Sequence, residues 1–178
     1  MLNCMYLYTF FGGERMLSDS EMRMSHCCFT GHRPEKLKRT ESEICADLES
    51  EIRIAINKGF QVFITGMARG TDIWAGEIVL KLRSEGFPVK LICASPFPGF
   101  ERSWSDDWKQ RYRQLSNAAD QVQFVSPAYR PSCFRVRNEW MVDHSALVIA
   151  VYNGARGGTN NTIKYAQKCG VSVSIIDG

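Results

Sequence analysis

The seven cysteines of this chain form no C-x-x-C pair, and with only three histidines, His26, His32 and His144, there is no metal-ligand spacing to read. There is no G-x-x-x-x-G-K-[ST] loop, and no G-x-G-x-x-G follows the first strand-like segment. These absences argue against a P-loop ATPase, a kinase or an ordinary nicotinamide-dependent dehydrogenase. Charge of one sign is also missing: 22 Lys and Arg face 19 Asp and Glu, for a net +3. Such a balance does not call for nucleic acid as a partner, although a local basic patch fits within it. No long hydrophobic run is present. The stretch from Leu2 to Phe11 is too short to span a bilayer and lacks the basic start and small-residue cleavage site of a secretory signal. Scattered, odd-numbered cysteines read as reduced thiols, so the expectation is a cytoplasmic protein without a membrane segment or a metal.

What is present is an ordinary globular composition, with 44% apolar and 23% charged residues in a 178-residue chain, enough for one domain with a real core. Residues 1–23 read as a leader, either lying upstream of a native start at Met24 or nearby or forming a loosely held appendage, which leaves 24–178 as the domain. From His26 onward, short apolar runs alternate with amphipathic segments. Strands are expected at 26–30, 61–65, 89–94, 121–125, 146–152 and 171–176. Helices are expected over 40–58, 72–83, 104–119, 134–144 and 159–169. The first helix is announced by a Thr40/Glu43 capping box and by Ile44, Leu48, Ile52 and Ile56 on one face. Strand–helix alternation predicts an α/β, Rossmann-like three-layer sandwich with a mainly parallel sheet, and a ligand site outside the carboxyl ends of the strands.

Three glycine-bearing loops would meet at that edge: Gly31-His32-Arg33-Pro34, Thr65 to Asp72, and Asn153 to Thr159. Glycine lets backbone approach a ligand closely, and free amides at a helix start favour an anion. Arg33, Arg69, Arg137 and Arg156 fall near the same edge. Pro96-Phe97-Pro98-Gly99-Phe100 leaves the third strand there, with Phe97 and Phe100 as candidates for stacking on a base. Trp104, Trp108, Tyr112 and Leu115, at helical spacing, read instead as core.

The segment Thr65-Gly66-Met67-Ala68-Arg69-Gly70-Thr71-Asp72 resembles the (S/T)-G-x-A-x-G-x-D loop of the DNA-processing proteins DprA or Smf. Arg137-Asn138, Met141 and Gly157-Gly158-Thr159 resemble the second half of the LOG phosphoribohydrolases. Together with Gly31-His32-Arg33-Pro34, Pro96-Phe97, Trp104 and Val142-Asp143-His144-Ser145, they resemble the SLOG superfamily, in its YpsA-like branch. The resemblance implies a pocket for a nucleotide or nucleotide-derived ligand. Gly66, Gly70, Gly157, Gly158 and Thr159 would touch phosphate and ribose, and Gly31, His32, Arg33, Met67, Ala68, Pro96 and Phe97 would complete the site. Asp72 would hold a ribose hydroxyl or cap its helix, and Arg69 would pair with phosphate or stand solvated at a loop tip.

The resemblance also implies a departure. LOG hydrolases carry an Arg-Lys pair and a glutamate in G-G-x-G-T-x-x-E, whereas this chain has Arg137-Asn138 and Thr162. Threonine cannot act as a carboxylate base or stabilise a cationic sugar. The expectation is therefore binding or sensing without turnover. The alternatives are LOG-like hydrolysis of a nucleotide N-glycoside, using Arg137 and a further carboxylate, and DprA-like binding of single-stranded DNA. A small nucleotide-like partner is favoured over nucleic acid, and a homo-oligomer is left open.

Overall fold

The computed structural model describes residues 23–178; the leader proposed for the preceding residues lies outside them. Six strands, β1 (His26–Gly31), β2 (Val62–Thr65), β3 (Lys90–Ser95), β4 (Gln121–Phe124), β5 (Leu147–Tyr152) and β6 (Ser172–Asp177), form one sheet. Five helices connect them: α1 (Glu41–Asn57), α2 (Thr71–Ser84), α3 (Asp106–Ala118), α4 (Cys133–Asp143) and α5 (Gly158–Lys168). A single 3-10 turn, Pro34–Lys36, precedes α1. The strand order is β4-β3-β2-β1-β5-β6, and all five pairings are parallel, so the sheet is parallel throughout the described residues.

Parallel neighbours require crossovers, and the right-handed rule assigns each crossover to a face. From β1 to β4 the chain steps one way across the sheet, so α1, α2 and α3 share one face. From β4 it returns past β1, and α4 and α5 cover the other. The core divides accordingly. Phe29 and Phe63 pack with Ile44, Leu48 and Ile52 of α1 and Ile73, Val79 and Leu82 of α2. Cys28, Ile64 and Val148 pack with Met141 and Val142 of α4 and Ile163 of α5. Side chains alternate across a strand, which is why the adjacent cysteines Cys27 and Cys28 lie in different cores. Each fully buried Leu, Ile or Phe contributes about 1.5–3 kcal/mol.

The capping box forms as the sequence predicts. The Thr40 hydroxyl accepts from the Glu43 amide at 3.3 Å, and the Glu43 carboxylate accepts from the Thr40 amide at 2.8 Å. Removing such a cap costs about 1 kcal/mol, so Thr40→Ala should lower the melting temperature by about 2–4 °C in a domain of this size. A thermal melt showing no change would mean that the box contributes nothing to α1.

Every boundary falls within one residue of expectation except the start of α3, which lies two residues later. Trp104 lies in a turn before α3, because the helix starts at Asp106 after Ser105 at the N-cap. Asp106 and Asp107 then occupy the first turn, where carboxylates complement the positive helix end. Tyr112 and Leu115 are buried in the core, and Trp104, although it precedes the helix, still packs half-buried against that core, edge-on to Tyr112 at 5.7 Å.

Candidate ligand site

β1 and β5 are neighbours, yet the chain leaves them in opposite directions, toward β2 and β6. Their carboxyl ends therefore open a crevice at a topological switch point. Loops following β1, β2 and β5 surround it.

The loop between β2 and α2 is built on a buried charge pair. Arg137, from α4, donates through Nη1 to the Gly66 carbonyl and lies 3.4 Å from Asp72 Oδ2. That same carboxylate oxygen accepts from the Ala68 amide at 3.2 Å. The Thr65 hydroxyl donates to the Asp72 carbonyl at 2.5 Å. Burial pushes the Asp72 carboxyl up, with Arg137 and then the Ala68 amide opposing the rise. Burial likewise pulls the Arg137 guanidinium down, against the attraction of Asp72. Asp72 thus braces its own loop from inside the helix start. The N-cap itself is Gly70, whose φ of 86° favours glycine.

Close packing accounts for the glycines here. A Cβ on Gly66 would lie 2.0 Å from Arg137 Nη1, and one on Gly31 would lie 2.2 Å from Thr71 Oγ1. One on Gly70 would lie 2.8 Å from Pro34 Cδ. These residues let the loops close on one another. The glycines before α5 differ: a Cβ on Gly158 would meet only Asn138 Nδ2, at 4.0 Å, and one on Gly157 nothing within 4 Å. The start of α5 has no side-chain cap and no acidic residue in its first turn. Its amides and the positive helix end are therefore available to an anion.

A cavity of about 360 Å³ lies against this helix start. Its walls include Gly31, His32, Arg33, Lys36, Ala68, Asp72, Arg137, Asn138, Gly158 and Thr159. A second cavity, of about 370 Å³, is lined by Arg33, Arg69, Phe97, Phe100, Ser103, Trp104, Ser105 and Phe134. Arg33, Phe100 and Phe134 belong to both. Of the residues expected at the site, Gly66, Met67, Gly70, Pro96 and Gly157 line neither cavity. Met67 is fully buried with φ 63°, and Pro96 is buried behind its loop. Arg156 is exposed and lines neither, so it does not join the other three arginines. Arg69 reaches Glu35 at 3.2 Å across the loops.

Sequence reasoning missed Lys36, Phe134, Ser103 and Ser105. The 3-10 turn starting at Pro34 carries Lys36 to the first cavity, and its only signal in the sequence was the proline. Phe134 is the second residue of α4, where its spacing resembles an ordinary helical residue.

His32 is buried, with its ring stacked on Tyr152 at 5.8 Å between centroids. Burial and then the Lys36 charge lower its pKa, so the imidazole is neutral at neutral pH. His32 Nε2 and Arg137 Nε are both buried without a hydrogen-bond partner, and such groups cost about 1–3 kcal/mol when left unsatisfied. Asn138 Nδ2 donates to Thr162 Oγ1 at 2.9 Å, and that hydroxyl donates to the Gly158 carbonyl at 2.9 Å. The two positions that depart from the LOG pattern are thus bonded to each other, tying α4 to the start of α5. Among the described residues lining the two cavities, Asp72 is the only carboxylate, and Glu139 pairs with Arg135 at 2.8 Å instead. No group of three or more His, Cys, Asp and Glu among the described residues is placed to hold a metal, and no helix among them is long and apolar enough to cross a membrane.

Comparison with known proteins agrees with this architecture. The chain is 36% identical over 118 residues to the SPbeta prophage-derived protein YoqJ of Bacillus subtilis, covering 60% of this chain and 69% of that protein. It is 31% identical over 127 residues to a UPF0398 protein of Oceanobacillus iheyensis, covering 65% and 67%. Among solved structures it resembles DNA processing protein A of Streptococcus pneumoniae, with TM-score 0.62 and 16% identity over 88% of this chain. It spans about half, 52%, of that pneumococcal chain. The DNA processing protein A of Helicobacter pylori, described for its single-stranded DNA binding mode, gives TM-score 0.62 and 18% identity over 90% of this chain and 68% of its own. At these identities the two structures establish the shared Rossmann-like fold. The sequence model of the YspA SLOG family matches residues 27–175, nearly the whole described domain, and the chain belongs to that family.

Proposed function

We propose that this protein binds a phosphate-bearing, nucleotide-derived ligand in the cavity at the carboxyl ends of β1, β2 and β5, and does so without hydrolysing it. The observation that carries the reading is the start of α5. It is uncapped, open above Gly158, and faces a cavity whose cations Arg33, Lys36 and Arg137 outnumber the single carboxylate Asp72. A phosphate set there would meet backbone amides, the positive helix end and charged side chains together. Binding without turnover is supported by Thr162, whose hydroxyl is engaged by Asn138 and by the Gly158 carbonyl. Asp72, the one carboxylate at hand, is held by Arg137 and the Ala68 amide.

Gly158→Asp tests the site. A Cβ at this position meets nothing nearer than 4.0 Å, so the fold should persist while the added carboxylate repels phosphate. Nucleotide affinity measured by calorimetry should fall at least 100-fold. A folded variant with undiminished affinity would remove α5 from the site. Incubation of the wild-type protein with nucleotides, followed by chromatography, should release no free base.

A second reading, single-stranded DNA binding, is favoured by the likeness in fold to the two DNA processing proteins. Phosphate contacts would make such binding fall steeply with salt. Gel shifts of an oligonucleotide at two salt concentrations separate the readings: a salt-sensitive shift supports DNA, and none supports the small ligand.

A further inference from the structure

We propose that the second cavity is a base subsite, so that the ligand is a nucleotide whose aromatic base lies among Phe97, Phe100, Trp104 and Phe134 while its phosphate reaches α5. The assignment rests on the phosphate reading for the ligand's orientation only. The two cavities share Arg33, Phe100 and Phe134, so one ligand can lie across the common wall.

The chemistry of the walls differs in the sense a nucleotide requires. Arg33, Lys36, Arg137 and the start of α5 line the first cavity together with Phe29, Phe100 and Phe134, and four aromatic rings with Arg33, Arg69, Ser103 and Ser105 line the second. Those rings meet one another edge-on or tilted. Phe97 and Phe100 are 5.6 Å apart at 70°, Phe100 and Trp104 4.9 Å at 77°, and Phe97 and Phe134 6.2 Å at 67°. Each edge-on contact covers a face of only one ring of the pair, and an inserted base would gain most from a face left turned to the cavity. The planar guanidinium of Arg33 offers a second stacking surface at the shared wall.

Polar reading of the base edge is also provided for. Ser105 holds the N-cap of α3 yet its side chain makes no cap hydrogen bond, although serine normally serves there by capping. Ser105 and Ser103 both line the same cavity. A sugar phosphate or inorganic phosphate would leave rings and hydroxyls unused, so the base should set the affinity.

The test compares the four 5′-ribonucleoside monophosphates, ribose 5-phosphate and the four free nucleosides, by calorimetry and by tryptophan fluorescence, to which Trp104 contributes directly. At least one monophosphate should bind about tenfold or more tightly than ribose 5-phosphate, the scale expected of base–aromatic stacking. Phe97→Leu should erase most of that advantage, and Ser105→Ala, at an exposed position, should reduce it a few-fold. The fluorescence change on binding should shrink in Trp104→Phe. A nucleoside that binds in a Phe97-dependent way sustains the base subsite even if no phosphate compound binds better, in which case the phosphate reading alone fails. Equal affinity for ribose 5-phosphate and every monophosphate overturns the base subsite and leaves the phosphate reading standing. Binding by none of these probes overturns both.

Discussion

Gly66→Ala should lower the melting temperature by about 6–12 °C. The new Cβ would lie 2.0 Å from Arg137 Nη1, 2.7 Å from Arg137 Cζ and 2.7 Å from Asp72 Oδ2. Neither neighbour can retreat easily, because both side chains are buried, with relative exposures of 6% and 8%. Overpacking a tight interior costs about 1–3 kcal/mol, occasionally more. Disturbing a buried ion pair costs further, so about 3 kcal/mol is a fair total. At about 2–4 °C per kcal/mol for a domain of this size, the melting range follows. The control is internal: in Gly66→Ala/Arg137→Met the obstructing guanidinium is gone, and the double variant should lose less than the sum of the single losses. Strict additivity, or a Gly66→Ala melt within a degree or two of wild type, would show that the loop accommodates the methyl by moving.

Arg137→Met should be comparably severe, and its severity should depend on pH. Removing one partner of a buried pair leaves the other charge uncompensated, at a cost of about 3–5 kcal/mol. The Gly66 carbonyl loses its donor in the same step. Burial already raises the Asp72 carboxyl above its ordinary 3.8, and Arg137 is the leading influence holding it down. Without Arg137 the rise grows. A carboxyl raised in the native state keeps its proton there at pH values where the unfolded chain has lost it. Stability contributed by this group is therefore present in acid and lost as pH climbs from about 4 through the raised native value. The deficit of Arg137→Met relative to wild type should be largest near neutrality and smaller at about pH 5. Asp72→Asn/Arg137→Met should lose that pH dependence and recover part of the stability. Melting curves across pH check each statement; a deficit that is flat with pH would mean that Asp72 is not the group left stranded.

Both predictions concern residues singled out in the sequence for a different reason. The loop from Thr65 to Asp72 was legible as a site element because glycine, arginine and aspartate crowd a strand-to-helix junction. Its glycines suggested close approach to a ligand, but at Gly66 and Gly70 the close approach is to Arg137 and to the loop around Pro34. Sequence reading could not make that distinction. Arg137 arrives from α4, 71 residues beyond Gly66, and no local pattern reports which side chain will fill a given space. The β5–α5 loop is the converse case, since Gly157 and Gly158 do face open space and Thr159 lines the cavity beside them. The aromatic stripe does pack in or against the core, but the start of its helix falls two residues later than expected, because helical spacing alone cannot show where a helix begins. Ser105 and two aspartates set the start of α3 after Trp104.

The sequence by itself determined the order and nature of the elements, because period-2 and period-3.6 burial are local properties of the chain. It thereby determined the parallel α/β layering, the capping box of α1 and the edge of the sheet where the loops gather. Tertiary structure alone decided which of those loops packs on its neighbours and which stays open. It paired Asp72 with Arg137, bonded Asn138 to Thr162, and set an aromatic cavity beside a cationic one across Arg33. The physical reason is range. Propensity and periodicity act over a few residues, whereas desolvation, ion pairing and steric closure act between groups that meet only once the sheet has ordered its strands as β4-β3-β2-β1-β5-β6. The missing motifs argue against the familiar phosphate loops, and the fold leaves the start of α5 without a side-chain cap, where the proposed anion would sit.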